Sequence, residues 1–184
     1  MTVSGAVVPP HGIWKIRAMS FDDLDRVVVL EKAVFSSPWT VDLFLYELNH
    51  DERTVYLVAE SEGELLGYVG AQVLDKEVHI TNMAVEPRVR RRGLGSELML
   101  ECIRCGIGRG ARWVTLEVRL GNDEARDFYH KFGLEELGVR RNYYTDSGED
   151  AVIMATGDIR SEDYTRLIEE IEGRLAVKGD EREC

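Results

Sequence analysis

The sequence has no long hydrophobic run and few cysteines. None of its apolar stretches approaches the roughly 18–20 residues that span a bilayer, and its first residues lack the basic segment and apolar core of a secretory signal. Three cysteines do not make a disulfide framework. Two of them, Cys102 and Cys105, fall in a predicted helix with no second ligand pair nearby, which favours packed thiols over a metal or redox site. We therefore expect a cytoplasmic protein.

Basic residues are outnumbered by acidic ones. With 23 lysines and arginines against 34 aspartates and glutamates, the formal net charge is −11. This charge argues against non-specific binding to nucleic acid or to an anionic membrane, and it favours basic partners, because an acidic rim steers a cationic substrate towards a cleft. The histidines have no metal-ligand spacing, so we expect no metal and interpret them as solvated or core residues: His11, His50, His79 and His130.

The length of 184 residues fits one domain with tails. We predict a flexible N-terminal tail at residues 1–13, which carry prolines and glycines and show little periodicity. The folded domain is expected at residues 14–157. Residues 158–184 are predicted to form an amphipathic C-terminal helix and tail, because apolar residues recur at helical spacing from Tyr164 to Leu175. This helix packs either on its own domain or on a partner helix.

Three apolar stretches in the first half of the chain have the pattern of strands joined by short turns. They run from Val55 to Ala59, from Leu65 to Leu74 and from Val78 to Val85. This spacing predicts an antiparallel meander. A helix, a buried strand from Trp113 to Leu120, a second helix and two final strands are expected to follow.

The stretch after the third strand has the features of an anion site. Pro87 ends the strand because it cannot donate a ladder hydrogen bond, and four arginines follow between Arg88 and Arg92. Gly93 and Gly95 then lead into a helix, whose N-terminal amides and macrodipole attract negative charge. The loop lacks the Lys-Ser/Thr pair of a Walker loop and the third glycine of a dinucleotide fingerprint. A purely structural strand-to-helix turn is therefore the alternative.

Arg90-x-x-Gly93-x-Gly95 resembles the coenzyme A pyrophosphate loop of the GNAT N-acetyltransferases. Further motifs are similar to the RimI-type subgroup, which acetylates the N-terminal alanine of a small-subunit ribosomal protein: Phe35-x-x-Pro38-Trp39, Leu116-Glu117-Val118-Arg119, Asn122, Phe128-Tyr129-x-x-Phe132-Gly133, Arg140 to Tyr144, and Glu149-Asp150-Ala151 to Met154. The resemblance covers roughly residues 14–156. It implies an α+β GNAT fold, in which a mixed, mostly antiparallel twisted sheet is flanked by helices, with the C-terminal helix as an addition.

The resemblance also implies acetyl-CoA as the cosubstrate, without a metal. Main-chain groups of Met83, Ala84 and Val85 would pair with the pantetheine arm and polarise the thioester carbonyl. Asn122 would hydrogen-bond the cofactor, cap the second helix, or do both. The loop and the first helical turn would cradle the pyrophosphate, and the implied cofactor-binding residues there are Arg90, Arg91, Arg92, Gly93, Leu94, Gly95 and Ser96.

Two residues are candidates for acid–base catalysis. Glu117 lies in an otherwise apolar strand, where a carboxylate is costly unless it is paired or functional. The resemblance implies that Glu117 is the general base, acting directly or through a water, and an ion pair with Arg119 or Arg140 is the alternative. Tyr129 would be the general acid that protonates the thiolate of coenzyme A. A core aromatic is the alternative for Tyr129.

The segment before the last turn is expected to contact the acceptor. In the resembling subgroup this segment lines the peptide site, and the implied substrate-binding residues are Arg141, Tyr143 and Tyr144. The implied reaction is acetylation of a protein N-terminus, with a basic ribosomal protein as the partner. Two alternatives stay open: a broader N-terminal or lysine acetyltransferase, and a non-catalytic acyl-CoA-binding interaction module, which would need neither Glu117 nor Tyr129.

Overall fold

A computed structural model describes residues 14–180 of the chain. The predicted N-terminal tail, residues 1–13, lies outside the described residues. The helices and strands, in chain order, are β1 Lys15–Ala18, α1 Leu24–Val34, α2 Val41–Leu48, β2 Thr54–Ser61, β3 Glu64–Leu74, β4 Glu77–Val85, α3 Leu94–Gly108, β5 Trp113–Arg119, α4 Asp123–His130, β6 Glu135–Tyr144, β7 Glu149–Ala155 and α5 Glu162–Asp180. Within this part of the chain, no helix is long and apolar enough to cross a membrane.

The strands form one seven-stranded sheet in the order β1-β2-β3-β4-β5-β7-β6. β2, β3 and β4 make the predicted antiparallel meander. β4 and β5 are parallel, since the chain crosses back through α3 between them, and the remaining neighbours are antiparallel. This mixed, mostly antiparallel sheet with flanking helices confirms the predicted α+β fold.

The sheet has a hydrophobic core on each face. On one face, Leu98 of α3 and Tyr164 of α5 are buried in a large cluster, against which Phe128 of α4 packs. On the other face, Val27 of α1 and Phe44 of α2 are buried in a smaller cluster. Strand side chains alternate between the two faces, so both clusters draw on the same strands. α5 therefore packs on its own domain rather than standing free for a partner helix.

α3 runs against the middle strands with one apolar stripe. Leu94, Leu98 and Cys102 on this stripe are fully buried, and Cys105 is half-buried. Both cysteines are free thiols, and burial raises the pKa of each. These two thiols contribute to packing, as the sequence indicated, and α3 is thereby held with its N-terminus next to the end of β4.

β4 and β5 pair along only part of their length. Their parallel ladder ends at Ile80 opposite Leu116, although β4 continues beside β3 and β5 continues beside β7. The two strands therefore part near the centre of the sheet. We call the opening between residues 81–85 of β4 and residues 117–119 of β5 the wedge. In the described chain no strand pairs with β4 on this side, and buried main-chain groups require a hydrogen-bond partner.

A bulge in β4 lies where the ladder ends. Gly70 and Ala71 are consecutive in β3, but their partners in β4 are two residues apart, so Thr81 is an extra residue. The hydroxyl groups of Tyr56 and Thr81 are 3.0 Å apart. The Tyr56 ring passes so close to β3 that a Cβ at position 70 would lie 2.2 Å from a ring carbon. Glycine at position 70 is therefore needed for Tyr56 to reach the bulge.

Replacing Gly70 with alanine tests this arrangement. We expect Gly70→Ala to lower the free energy of unfolding by about 1–3 kcal/mol, because the new methyl group displaces a well-packed ring. Urea titration of the folded protein measures the change. Gly138→Ala is the matched control, since a Cβ at Gly138 in β6 would have no heavy atom within 4 Å. Equal effects of the two substitutions would show that Tyr56 does not depend on Gly70.

Candidate active site

Met83, Ala84 and Val85 form one wall of the wedge. The side chains of Met83 and Val85 pack on the larger core and the Ala84 side chain is buried in the smaller one, so these side chains lie on the two faces of the sheet. Along an extended strand, main-chain N–H and C=O groups are directed alternately to the two sides. β3 pairs with one side of this segment. The other side faces the wedge, where the sequence predicted contacts to a pantetheine arm.

The loop between β4 and α3 begins with a short turn at Pro87–Val89 and ends in a left-handed residue. Gly93, with φ of 93°, is the N-cap of α3, and no side chain caps the helix from this position. Arg91 is also left-handed, with φ of 61°. The first N–H groups of a helix have no partner within the helix. The loop therefore presents main-chain donors and a helix dipole, which together suit an anion.

The first turn of α3 lies beside the end of β4 and beside α4. A Cβ built on Gly95 would be 3.5 Å from Met83 Cε and 3.7 Å from Phe128 Cε2. These are ordinary contact distances, so packing within the protein does not require glycine at this position. Leu94 is fully buried in the core, whereas Ser96 is half-buried. Gly95 leaves the helix main chain open to close approach, and these residues fit a diphosphate next to the wedge.

The arginine side chains of this loop do not act as one cluster. Arg90 Nε donates to the Val85 carbonyl oxygen at 3.1 Å and so fastens the loop to β4. Arg91 forms an exposed ion pair with Glu124 at 3.3 Å, a type of contact that contributes little to stability. The Arg92 side chain lines a different cavity, of about 540 Å³, between β1, α3 and α5. The anion site therefore rests mainly on main-chain groups.

α4 carries two of the predicted site residues. The Asn122 side chain accepts a hydrogen bond from the Ala125 N–H at 3.2 Å, so the N-cap alternative holds for this residue. Tyr129 is half-buried against the larger core, with its ring centroid 5.3 Å from that of Phe128. Burial raises the pKa of Tyr129 to about 12. The hydroxyl therefore keeps its proton at neutral pH.

Glu117 lies on the opposite wall of the wedge, and only 8% of its side chain is exposed. Its Oε1 is 2.8 Å from Arg140 Nη1 of β6, and its Oε2 is 3.2 Å from His79 Nε2 of β4. Of the two ion pairs that the sequence left open, the structure contains the one with Arg140. Arg119 instead pairs with acidic residues of the β6–β7 turn. The Glu117 carboxylate is thus held between two partners at the wedge.

His79 was not singled out from the sequence, which indicated only a solvated or core histidine. In the structure it contacts Glu117 and lies opposite Thr115, whose Oγ1 is 2.8 Å from His79 Nδ1. A strand register of this kind has no signal in a single sequence. Among residues 14–180, no group of three or more histidine, cysteine, aspartate or glutamate side chains is arranged to hold a metal ion.

The end of β6, where the resemblance implied acceptor contacts, lies beside Glu117. The Tyr144 hydroxyl donates to the Glu117 carbonyl oxygen at 3.5 Å, and the Arg119 guanidinium lies 3.9 Å from the Tyr144 ring centroid. Burial raises the pKa of Tyr144 to about 12. The ring centroid of Tyr143 is 5.1 Å from that of Tyr144, and 42% of Tyr143 is exposed. Arg141 is exposed and stands outside this group. Of the predicted acceptor residues, Tyr144 therefore hydrogen-bonds the main chain of Glu117.

Two contacts tie the α1–α2 loop to both sides of the wedge. Ser36 Oγ donates to Asp146 Oδ2 of the β6–β7 turn at 3.1 Å. The fully buried carboxylate of Glu31 accepts hydrogen bonds from the Trp39 main-chain N–H at 3.2 Å and from Asn82 Nδ2 at 2.5 Å. Glu31 therefore links this loop to β4. The sequence analysis did not single out Glu31, although a carboxylate on the apolar face of α1 is a signal that could have identified it.

Known proteins share this architecture. A model of the acetyltransferase (GNAT) family matches residues 24–134. A putative ribosomal protein bS18-alanine N-acetyltransferase from Bacillus subtilis (strain 168) is 42% identical over 139 residues, which cover 76% of this chain and 92% of the relative. The crystal structure of the ribosomal-protein-S18-alanine N-acetyltransferase from Escherichia coli is 32% identical, with a TM-score of 0.72 and coverage of 81% and 97%. Ard1 from Thermoplasma volcanium is 30% identical, with a TM-score of 0.73 and coverage of 79% and 98%. The matched family residues include both walls of the wedge.

The buried carboxyl of Glu31 gives a testable pH dependence. Burial raises the pKa of Glu31 above its ordinary value of 4.5. Above that pH the folded state keeps a proton on Glu31 that the unfolded chain releases. The contribution of the protonated carboxyl to the free energy of unfolding is therefore lost as the pH rises. Glu31→Gln cannot titrate, yet it keeps a side-chain oxygen for Asn82. We expect the free energy of unfolding of the wild type, relative to Glu31→Gln, to fall as the pH rises above the ordinary glutamate pKa of 4.5 in urea titrations.

Glu162→Gln is the control for this measurement, because it removes a carboxylate whose side chain is 92% exposed. The same series of urea titrations gives its difference from the wild type at each pH. A difference between wild type and Glu31→Gln that stays constant over the whole pH range would contradict the account of Glu31.

Proposed function

This chain belongs to the GNAT acetyltransferase family, and we propose that it moves an acetyl group from acetyl-CoA to the α-amino group of a ribosomal protein whose first residue is alanine. As a member of this family, the protein is an acetyl-CoA-dependent N-acyltransferase. The observation that carries the proposal is the wedge, which has the α3 N-terminus at one end and Glu117 on the far wall. The relatives from Bacillus subtilis and Escherichia coli, both named for bS18 alanine, support the choice of acceptor. A ribosomal acceptor places the reaction in the cytoplasm.

The residues that fit acetyl-CoA lie along β4 and the start of α3. The pyrophosphate is placed at the main-chain N–H groups between Arg91 and Ser96, where Gly93 and Gly95 allow close approach. The pantetheine arm takes the position of a strand in the wedge and pairs with the free side of β4. The Met83 N–H already donates to Asn82 Oδ1 at 3.0 Å. Another main-chain N–H of this segment therefore donates to the thioester carbonyl oxygen. This donor stabilises the negative charge that develops on the oxygen during attack.

Glu117 is proposed to take the proton from the attacking amine, directly or through a water. An α-amino group has a pKa of about 8, against about 10.4 for a lysine side chain, so less driving force is needed to obtain the reactive amine at an N-terminus. The carboxylate is well placed for this role, because Arg140 binds its Oε1 at the wedge and its Oε2 lies 3.2 Å from His79 Nε2. Its ion pair with Arg140 orients the carboxylate and is compatible with a role as base.

Tyr129 is proposed as the general acid. A phenol with a pKa of about 12 stays protonated until negative charge builds on the sulfur of coenzyme A. An ordinary thiol has a pKa of about 8.5, so full transfer of the proton from the phenol to the sulfur is energetically unfavourable. The hydrogen bond from the phenol to the sulfur in the transition state therefore provides much of the stabilisation of the developing charge. The packing of Tyr129 against Phe128 holds the hydroxyl in place for this contact.

Replacing Tyr129 with phenylalanine separates catalysis from binding. We expect Tyr129→Phe to lower kcat about 10²- to 10⁴-fold, because it removes the proton donor alone. The affinity for acetyl-CoA, measured by calorimetry, should stay within about twofold, since the ring and its packing are kept. Tyr46→Phe is the matched control, as it removes the hydroxyl of an exposed tyrosine on α2. Undiminished turnover by Tyr129→Phe would rule out its role as the acid.

A peptide panel tests the reaction itself. The peptides begin with alanine followed by basic residues, and they contain one internal lysine. A matched set carries the same sequence with a blocked N-terminus, and a third set begins with another residue. We expect mass spectrometry to find acetyl groups on the free N-terminal alanine, because its amine has the lower pKa and the acidic protein attracts a basic peptide.

The panel also distinguishes the other candidate functions. Acetylation confined to the internal lysine would contradict the N-terminal proposal and favour a lysine acetyltransferase. Equal acetylation of all free N-termini would indicate a broader N-terminal enzyme. Binding of acetyl-CoA without turnover on any peptide would favour an acyl-CoA-binding interaction module, in which the pairing of Glu117 is structural.

A further inference from the structure

A row of polar side chains leads from Glu117 to the surface. His79 Nε2 is 3.2 Å from Glu117 Oε2, and His79 Nδ1 is 2.8 Å from Thr115 Oγ1. The Thr115 hydroxyl in turn donates to Glu77 Oε1. Alternate residues of a strand share a face, so Glu77 and His79 of β4 lie on the same side of the sheet as Thr115 and Glu117 of β5. The exposed fraction of the side chain rises along the row, from 8% for Glu117 to 33% for His79 and 39% for Glu77.

Hydrogen-bond accounting fixes where the protons of this row are. Thr115 has one hydroxyl hydrogen, which it donates to Glu77, so its oxygen accepts from His79 Nδ1 and Nδ1 carries a hydrogen. One position then remains, between His79 Nε2 and Glu117 Oε2. A proton there belongs either to an imidazolium beside a carboxylate or to a carboxylic acid beside a neutral imidazole. His79 is thus arranged to receive a proton that Glu117 has acquired.

We propose that His79 relays the proton of the substrate amine from Glu117 to solvent. This inference rests on the proposed role of Glu117 as the base. The N–H bond of the amine breaks as an O–H bond forms on Glu117. The proton then moves to His79 Nε2, and the resulting imidazolium keeps its Nδ1 hydrogen bond to Thr115, whose hydroxyl donates to Glu77. The Nε2 proton leaves for solvent, so His79 is again neutral with its hydrogen on Nδ1 and Glu117 is again a carboxylate.

The charged groups around His79 belong to four elements. Glu77 is on its own strand, Glu117 is on β5, and Arg140 of β6 lies behind Glu117. Glu47 of α2 is linked through Gln72, the neighbour of His79 on β3, whose Nε2 donates to Glu47 Oε1 at 2.9 Å. Two carboxylates therefore contact the imidazole directly, and one guanidinium and one further carboxylate are linked to it through Glu117 and Gln72.

The first test replaces His79 by glutamine, which donates a hydrogen bond but does not relay a proton. With the alanine-initiated peptide, we expect kcat to fall about 10-fold or more, while the affinity for acetyl-CoA and the KM for the peptide change less than about twofold. His50→Gln is the control, since His50 on the far end of α2 bonds the Tyr46 carbonyl instead. Wild-type kcat in His79→Gln would overturn the relay.

Two further variants exclude a merely structural role. In His79→Ala, added imidazole should restore part of the lost kcat in proportion to its free-base concentration. Thr115→Val should slow turnover as His79→Gln does, while Thr115→Ser, which keeps the hydroxyl, should keep kcat near that of the wild type. Circular dichroism melts check that each variant is folded. A folded His79→Ala that imidazole does not accelerate, or a Thr115→Val at full kcat, would overturn the relay.

Failure of the relay differs from failure of the proposed function. The relay is judged from the ratio of variant to wild-type kcat, which requires an active wild type. If the wild type acetylates the peptide and Glu117→Gln abolishes turnover while His79→Gln does not, the base stands and the relay is wrong. If the wild type acetylates no N-terminus, the proposed function is wrong, and the relay that rests on it is withdrawn as well.

Discussion

The parting of β4 from β5 is the constraint on which the rest of the structure depends. Two neighbouring strands in the centre of a sheet normally form main-chain hydrogen bonds along their full length, yet here the ladder ends at Ile80 and Leu116. The bulge at Thr81, held by Tyr56 across Gly70, marks where it ends. Beyond this point no strand of the described residues pairs with this side of β4, although the Met83 N–H donates to Asn82 Oδ1 and the Val85 carbonyl accepts from Arg90 Nε. We propose that an extended thiol-bearing arm pairs with the main-chain groups that remain.

The two ends of the wedge suit ligand groups of opposite charge. At one end, the uncapped N-terminus of α3 and the glycines beside it suit a diphosphate. At the other end, the carboxylate of Glu117 lies where we propose that a cationic amine arrives. A buried carboxylate without partners would cost several kcal/mol, and Glu117 avoids this cost through its ion pair with Arg140. This pairing stabilises the charge at the place where the proposed reaction requires it.

Local rules account for what the sequence predicted well. Pro87 ends a strand and Gly93 begins a helix, so the strand end, the glycine loop and the helix start could be inferred without the fold. The alternation of apolar residues likewise predicted the meander. The cap formed by Asn122 follows from the preference of asparagine for helix N-termini. Each of these features depends on residues that are close in the chain.

Features that depend on register could not be predicted in this way. Arg119 and Arg140 were equal candidates to pair with Glu117, and only the pairing of β5, β7 and β6 places Arg140 there. The contact of His79 with Glu117 depends on a parallel ladder between strands more than thirty residues apart. Glu31 could be predicted only in part. A carboxylate on an apolar helix face indicates burial, but the sequence does not show that its hydrogen-bond partners are Trp39 and Asn82.

A crystal structure with a conjugate of coenzyme A and an alanine-initiated peptide tests the central claim most directly. We expect the pyrophosphate at the first turn of α3, the pantetheine arm along residues 83–85 in the place of a strand, and the alanine nitrogen next to Glu117. A conjugate bound elsewhere, for instance in the cavity that Arg92 lines between β1, α3 and α5, would contradict it.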